Sequence, residues 1–180
     1  YNFLRLLPLH LSQKFASFCF RYIGRFSSAQ KTSIENCKLV FPDLTNTKIK
    51  KIVERSWGNI GKNIFELINF KKFLKKGSII IKGIENIEQL KRNNNQAIFI
   101  GIHQSNWEVV FPMLDRIGFK VSAIYRHINN IFLENLILKT RNDTLISKNN
   151  FYTQKGKKGA KDIIDSLKNN YCLFLLIDQK

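Results

Sequence analysis

From residue 78 onward, short apolar segments alternate with segments of helical periodicity, and this alternation constrains the fold more than any other feature. The short segments are rich in β-branched and aromatic residues, which are typical of strands; they are residues 79–83, 96–102, 119–125, 144–147 and 171–177. The helical segments between them are residues 84–92, 105–117, 130–141 and 157–168. Strands that alternate with helices predict an α/β domain with a mostly parallel sheet flanked by helices.

The first part of the chain lacks this alternation and is predicted to be helical. Residues 3–26 are apolar and aromatic, but Lys14, Arg21 and Arg25 interrupt them at spacings that place all three on one helical stripe. Since a transmembrane helix needs about 20 mostly apolar residues, these charges favour a helix that lies in the membrane interface. The alternative is an amphipathic helix packed on its own domain.

We therefore divide the chain into a membrane-interfacial or anchoring helix, a helical region and the first part of an α/β domain, at residues 1–26, 27–76 and 77–180. In the second region a helix is predicted to run to about Phe70 from a cap supplied by Asp43, Thr45 or Thr47. The segment KKFLKK is expected to end it. Both chain ends look cut, so we expect an α/β domain truncated at its C-terminus.

The formal net charge of +17 comes from 30 Lys and Arg against 13 Asp and Glu. Such a charge favours nucleic acid, an anionic membrane or an acidic protein as partner. The sequence is also rich in Lys, Asn and Ile, which AT-rich genomes impose on any protein. The charge therefore limits the classes of possible partner but does not identify one of them. The scattered Cys19, Cys37 and Cys172 argue against a disulfide framework and a zinc site. No metal is expected.

Polar residues follow three of the predicted strands directly. These residues are His103, Arg126 and the pair Asp178 and Gln179. In an open α/β sheet, ligands bind beyond the carboxyl ends of the strands. If the strands are parallel, a histidine, an arginine and a carboxylate meet at one edge of the sheet, and we predict the site there.

The sequence GIHQSNWEVV around His103 allows two interpretations of Glu108. In the first, Ser105 is a helix N-cap and Glu108 completes a capping box three residues later. In the second, the Glu108 carboxylate binds one nitrogen of the imidazole and fixes its tautomer, so that the other nitrogen acts as a general base. The nearby helix N-terminus helps to keep His103 neutral. The residues alone leave both interpretations open.

The segment GIHQSNWE resembles a family motif. A histidine followed by four residues and an acid is the signature of the glycerolipid acyltransferase superfamily, and this segment is similar to the G-x-H-x-G-N-W-E block of the bacterial lipid A biosynthesis lauroyl and myristoyl acyltransferases. Four further blocks follow the family's order, namely LPLHLSQKFASF, ENCKLVFPDLT, YRHINNIFLENLILKTR and LLIDQ. Ser105 replaces the family's glycine, which we expect to be harmless because serine caps well, and His127 replaces the proline of YRP.

This resemblance implies transfer of a fatty acyl chain from an acyl-carrier-protein thioester to a hydroxyl of a lipid A precursor or similar glycolipid. It implies no cofactor and no covalent enzyme intermediate. His103 would be the general base and Glu108 its orienting partner. The predicted substrate-binding residues are Asn106 for the oxyanion, with backbone N–H groups at the helix start as the alternative, Arg126 for an acceptor phosphate, and Arg141, Asp178 and Gln179. The alternatives are a surface role for Arg126 and, for Arg141, a partner of the helix C-terminal dipole.

The partners implied by the resemblance are the acyl carrier protein, the glycolipid acceptor and the anionic surface of the cell inner membrane, on its cytoplasmic face. Alternative acceptors are glycerophosphate, a lysophospholipid or a mannosyl lipid. A basic nucleic-acid-binding protein is the alternative of another class, but the sequence has no zinc spacing, RNP-type strand or basic helix with heptads. The basic run KGKKGAK at 155–161 is either a solvated face or a dock for the carrier protein or for anionic headgroups.

Overall fold

The computed structural model describes residues 8–75, 79–93, 96–128 and 131–178. The chain separates into two compact units, Tyr1–Lys76 and Gly77–Lys180. The first unit is helical and the second contains the sheet.

The first unit contains four described helices: α1 (Leu9–Gly24), α2 (Ala29–Val40), α3 (Asn46–Ile68) and α4 (Phe70–Lys75). The predicted cap of the long helix is confirmed, since the Thr45 hydroxyl accepts a hydrogen bond from the Lys48 backbone N–H at 3.4 Å. The KKFLKK segment does more than end α3, because most of it forms the separate helix α4. The helix α3 ends at Ile68 and is C-capped by Asn69, whose side-chain amide donates to the Phe65 carbonyl at 3.1 Å.

Small residues allow α1 and α3 to pack closely. A methyl group added at Gly58 would lie 2.6 Å from the Ser17 hydroxyl, and one added at Gly61 would lie 2.5 Å from the Ala16 carbonyl oxygen. One face of α1 is therefore packed on α3, as the alternative of a packed amphipathic helix predicts. The opposite face exposes large apolar side chains at helical spacing, which are Leu11, Phe15, Phe18, Tyr22 and, just beyond the helix, Phe26. Among the described residues, no helix is both long enough and apolar enough to span a bilayer.

The second unit contains a four-stranded sheet of β1 (Ile98–Gly101), β2 (Val121–Tyr125), β3 (Phe151–Gln154) and β4 (Cys172–Leu176). The strand order is β1-β4-β2-β3 and every pairing is parallel. The described helices of this unit are α5 (Ile84–Arg92), α6 (Val110–Ile117), α7 (Ile131–Asn142) and α8 (Lys157–Lys168). The predicted α/β fold with a parallel sheet flanked by helices is thus confirmed.

One face of the sheet packs with α6 to form the core. The buried residues of this core are Phe111, Leu114, Phe119, Val121, Ala123, Cys172 and Phe174. Cys172 is therefore a small buried hydrophobic residue, as its apolar surroundings in the sequence predict. A hydrogen bond of 3.2 Å between the hydroxyls of Ser122 and Ser166 joins β2 to α8.

Two of the five predicted strands are wrong. Residues 79–83 form no strand, and Gly83, with φ +72°, leads into α5 instead. The segment 144–147 is a turn, because the Asp115 carboxylate accepts hydrogen bonds from the backbone N–H groups of Ile146 and Ser147. Its backbone donors are therefore unavailable to a sheet, and the strand forms later, at Phe151–Gln154.

Candidate active site

The strand order places His103 and Asp178 side by side at the carboxyl edge of the sheet. His103 follows β1, Asp178 follows β4, and these two strands are neighbours. The His103 Nδ1 atom lies 2.8 Å from Asp178 Oδ1, and the His103 backbone N–H donates to Asp178 Oδ2 at 2.9 Å. The carboxylate thus binds one residue through both of its oxygens, which fixes the position of the histidine ring.

This contact favours the ionised form of Asp178 and one tautomer of His103. The hydrogen bond from His103 lowers the pKa of Asp178 below its usual range, so Asp178 is a carboxylate. A carboxylate at Nδ1 favours the tautomer with its proton on that nitrogen, and Nε2 then carries the free lone pair of a base. The Trp107 indole meets the imidazole at a ring separation of 5.1 Å and an angle of 62°, and it also restrains the ring.

The carboxylate on the imidazole was predicted to be that of Glu108, and this assignment is wrong. Both Glu108 oxygens accept hydrogen bonds from Arg141: Nε donates at 2.9 Å and Nη2 at 2.5 Å. The two side chains are about one-seventh exposed, at 14% for Glu108 and 15% for Arg141. Glu108 is therefore half of a mostly buried bidentate ion pair, a geometry that suits the planar guanidinium.

The capping-box interpretation of Glu108 is also wrong. The short 3₁₀ turn Trp107–Val109 begins after Asn106, so Ser105 is not its N-cap. Ser105 instead has φ +53°, in the left-handed region that favours glycine over other residues. This explains why a glycine suits this position in the family motif, and it corrects the expectation that the serine is harmless because it caps.

The Arg141 guanidinium lies beside a buried network of polar side chains. It lies 5.6 Å from the ring centres of both Tyr125 and Tyr152. The Tyr125 hydroxyl donates to the buried Glu134 at 2.8 Å. Burial, followed by this hydrogen bond, raises the pKa of Tyr125 to about 12. Although burial lowers the pKa of Arg141, the hydrogen bonds and charge of Glu108 outweigh it, and the net shift is upward.

The other predicted site residues are placed as follows. Asn106 stands at the start of the 3₁₀ turn, three residues after His103. Arg126 is exposed at the end of β2, two strand positions from His103 across β4, which corresponds to roughly 10 Å. Arg141 is engaged with Glu108 inside the unit. Gln179 lies outside the described residues.

The sequence predicted that the site lies at the carboxyl edge of the sheet, but it did not predict two of the side-chain contacts in this site. Asp178 was placed at the edge, but its pairing with His103 depends on β1 and β4 being neighbours, which no local pattern reveals. Glu134 was missed altogether. The available signal was an acid in the first turn of a largely apolar helix, where it also accepts from the Ile128 backbone N–H at 2.9 Å.

Residues 1–180 match the family model of the bacterial lipid A biosynthesis acyltransferases. A protein of Shigella flexneri described as lipid A biosynthesis acyltransferase 2 is 26% identical over 170 residues. This alignment covers 88% of the present chain and 50% of the relative, so the chain spans about half the length of that relative.

Proposed function

The chain belongs to the bacterial lipid A biosynthesis acyltransferase family, and from this premise we propose that it transfers a fatty acyl chain from an acyl-carrier-protein thioester to a hydroxyl of a lipid A precursor or similar glycolipid. The observation that carries the proposal is the His103–Asp178 pair at the carboxyl edge of the parallel sheet. The pair provides an oriented base where ligands of such sheets bind.

In the proposed mechanism, His103 Nε2 takes the proton of the acceptor hydroxyl as its oxygen attacks the thioester carbonyl. The attack forms the new C–O bond and a tetrahedral intermediate, whose C–S bond then breaks to release the carrier thiolate and leave the ester. The imidazolium then returns its proton to that sulfur, so the enzyme ends unchanged. The Asp178 carboxylate stabilises the imidazolium between these steps. General base catalysis of this kind contributes about 10²–10⁴-fold to the rate.

We propose that Glu108 acts indirectly, by holding the turn that follows His103 in place. The pair with Arg141 ties that turn to α7, and the turn also carries Asn106 and Trp107. We assign the oxyanion to Asn106 or to backbone N–H groups of this turn, since donors held in place before reaction are the effective ones. Arg141 accordingly positions Glu108, and a direct contact with substrate is not needed.

Arg126 is assigned to an acceptor phosphate. Arg126 is exposed at the same sheet edge as His103, and its backbone is two strand positions away, which corresponds to roughly 10 Å. This separation lets one glycolipid present a hydroxyl to His103 and a phosphate to Arg126. The planar fork of arginine binds phosphate through two parallel hydrogen bonds.

We propose a location on the inner membrane, at its cytoplasmic face, and the first unit supports contact with a membrane surface. The exposed face of α1 carries Phe15, Phe18 and Tyr22, with the exposed Lys14 beside them. Aromatic and basic residues on one exposed helix are typical of interfacial binding. Arg21 departs from the predicted basic stripe, because its Nε lies against α3 at Gly58, where the missing side chain leaves room for it.

The proposed substrates are tested by acceptor competition. The full chain would be incubated with labelled lauroyl-acyl carrier protein and equal amounts of a lipid A precursor, glycerophosphate and a lysophospholipid. We expect label in the lipid A precursor. Label that accumulates in glycerophosphate or lysophospholipid would overturn the acceptor assignment while leaving acyl transfer itself supported.

A further inference from the structure

We infer that exposed lysines at the start of α8 form the docking surface for the acidic carrier protein that brings the acyl chain, an inference that rests on the proposed function. This lysine surface consists of Lys155, Lys157, Lys158 and Lys161, and all four residues are exposed.

The lysine surface lies at the same edge of the sheet as the catalytic pair. Lys155 follows β3 directly, and its backbone N–H donates to the Tyr125 carbonyl at 2.8 Å. Lys161 lies four residues after Lys157 and three after Lys158, so the three lysines lie on one side of the first turns of α8. Since β3 is three strand positions from β1, the surface begins roughly 15 Å from His103.

The placement of these charges works against the stability of the fold. A helix N-terminus carries partial positive charge and favours acids, yet the first turn of α8 contains no acid and two lysines. Lys155 also stands next to the exposed Arg126, because Tyr125 and Gln154 are register partners on adjacent strands. Like charges in such neighbouring positions repel. Asp162 and Asp165, each four residues after one of the lysines, offset part of this repulsion, and an anionic partner would offset more of it.

The chemistry of the surface favours a protein partner over a membrane. The residues between the lysines are Gly156, Gly159 and Ala160, which offer no large apolar side chain for insertion into lipid, although the exposed Ile164 lies one turn after Lys161. Interfacial membrane segments combine basic with large apolar residues, and that combination occurs on α1. Four point charges spread over a strand end and a helical turn instead match carboxylates spread along the surface of an acidic protein.

The test compares two triple variants of the full chain with the same change in charge. The first is Lys157→Gln, Lys158→Gln and Lys161→Gln. The matched control is Lys48→Gln, Lys50→Gln and Lys51→Gln on α3, where the three lysines are also exposed. Binding of fluorescently labelled holo-acyl carrier protein is measured by anisotropy at low and moderate salt. Turnover is measured with lauroyl-acyl carrier protein and with lauroyl-pantetheine, which has the same thioester but neither protein nor phosphate.

We expect the first variant to weaken carrier binding on the order of tenfold, with a smaller salt dependence, since opposed charges at an interface rim act in this way. The ratio of kcat/KM for the carrier-bound donor to that for lauroyl-pantetheine should fall by a similar factor. The control should bind the carrier like the unsubstituted chain.

Carrier binding that is absent in the unsubstituted chain, unchanged in the first variant or equally weakened in the control overturns the inference. The inference is also overturned if the first variant loses binding to vesicles of anionic phospholipid but still binds the carrier protein, because the lysine surface then contacts the membrane. Carrier binding that depends on the three lysines without any acyl transfer would sustain the docking surface and refute the proposed function.

Discussion

Replacing Glu108 with glutamine tests the role of the ion pair with Arg141. Glutamine keeps one oxygen acceptor but puts an amide N–H₂ against the second guanidinium donor, which removes the only carboxylate seen hydrogen-bonded to Arg141 among the described residues and leaves the more distant Glu134 as its remaining counter-charge. Breaking a buried pair from one side costs about 3–5 kcal/mol. Because both side chains keep some exposure, we expect a loss of about 2–3 kcal/mol in the free energy of unfolding.

For a chain of this length, such a loss lowers Tm by roughly 4–12 °C. Thermal unfolding followed by circular dichroism measures it, and acyl transfer is assayed below the lowered Tm. The control is Glu88→Gln, which removes an exposed pair with Arg92 and should change stability by no more than about 0.5 kcal/mol. In an Arg141→Met background, Glu108→Gln should cost clearly less, because no unpaired charge remains.

A different result would refute this reasoning. If Glu108→Gln abolishes acyl transfer while Tm stays within a degree of the unsubstituted value, Glu108 takes part in the chemistry itself. A loss of only about 1 kcal/mol, equal in both backgrounds, would be the signature of a lost cap.

Three further outcomes follow from the geometry. Ser105→Gly should stabilise the fold by about 0.5–1 kcal/mol, because it relieves a left-handed backbone strained for serine; a lower Tm in the melting curve would contradict this. The double change Phe15→Ser and Phe18→Ser should weaken sedimentation with anionic vesicles by about tenfold or more without lowering Tm, since both rings are exposed; equal sedimentation would remove α1 as the membrane contact. Because the folded pKa of Asp178 is lowered, its stabilising effect is complete above the unfolded pKa of about 4 and is lost as the pH falls through the lowered value. The difference in stability from Asp178→Asn should therefore be constant at neutral pH and vanish in acid; a difference that grows in acid would contradict the sign of the shift.

Local signals predicted the helices well and failed where distant residues compete for the backbone. The helix α8 begins and ends at the predicted residues because an amphipathic pattern follows Gly156 directly. The apolar segment 144–147 was predicted as a strand, yet its N–H groups bind Asp115, about 30 residues earlier. The sequence of that segment does not indicate these hydrogen bonds with Asp115.

In the candidate site, too, local sequence predicted some features and distant residues determined the others. Its location at the carboxyl ends of the strands was predictable, because each polar residue directly follows an apolar run. The identity of the contacts was not, since His103 and Asp178 are 75 residues apart and Glu108 and Arg141 are 33 apart. The H-x₄-E spacing suggested a local pair, but the actual partner of each side chain depends on strand order and on where α7 packs.

The central claim, that His103 is a base oriented by Asp178, is tested most directly by single-turnover acyl transfer in His103→Ala, with His127→Ala as the matched histidine control at the same sheet edge. We expect His103→Ala to slow the chemical step by about 10²–10⁴-fold with an unchanged circular dichroism spectrum. His127→Ala should stay within about threefold of the unsubstituted rate. A His103→Ala variant that transfers the labelled acyl chain as fast as the control would contradict the account.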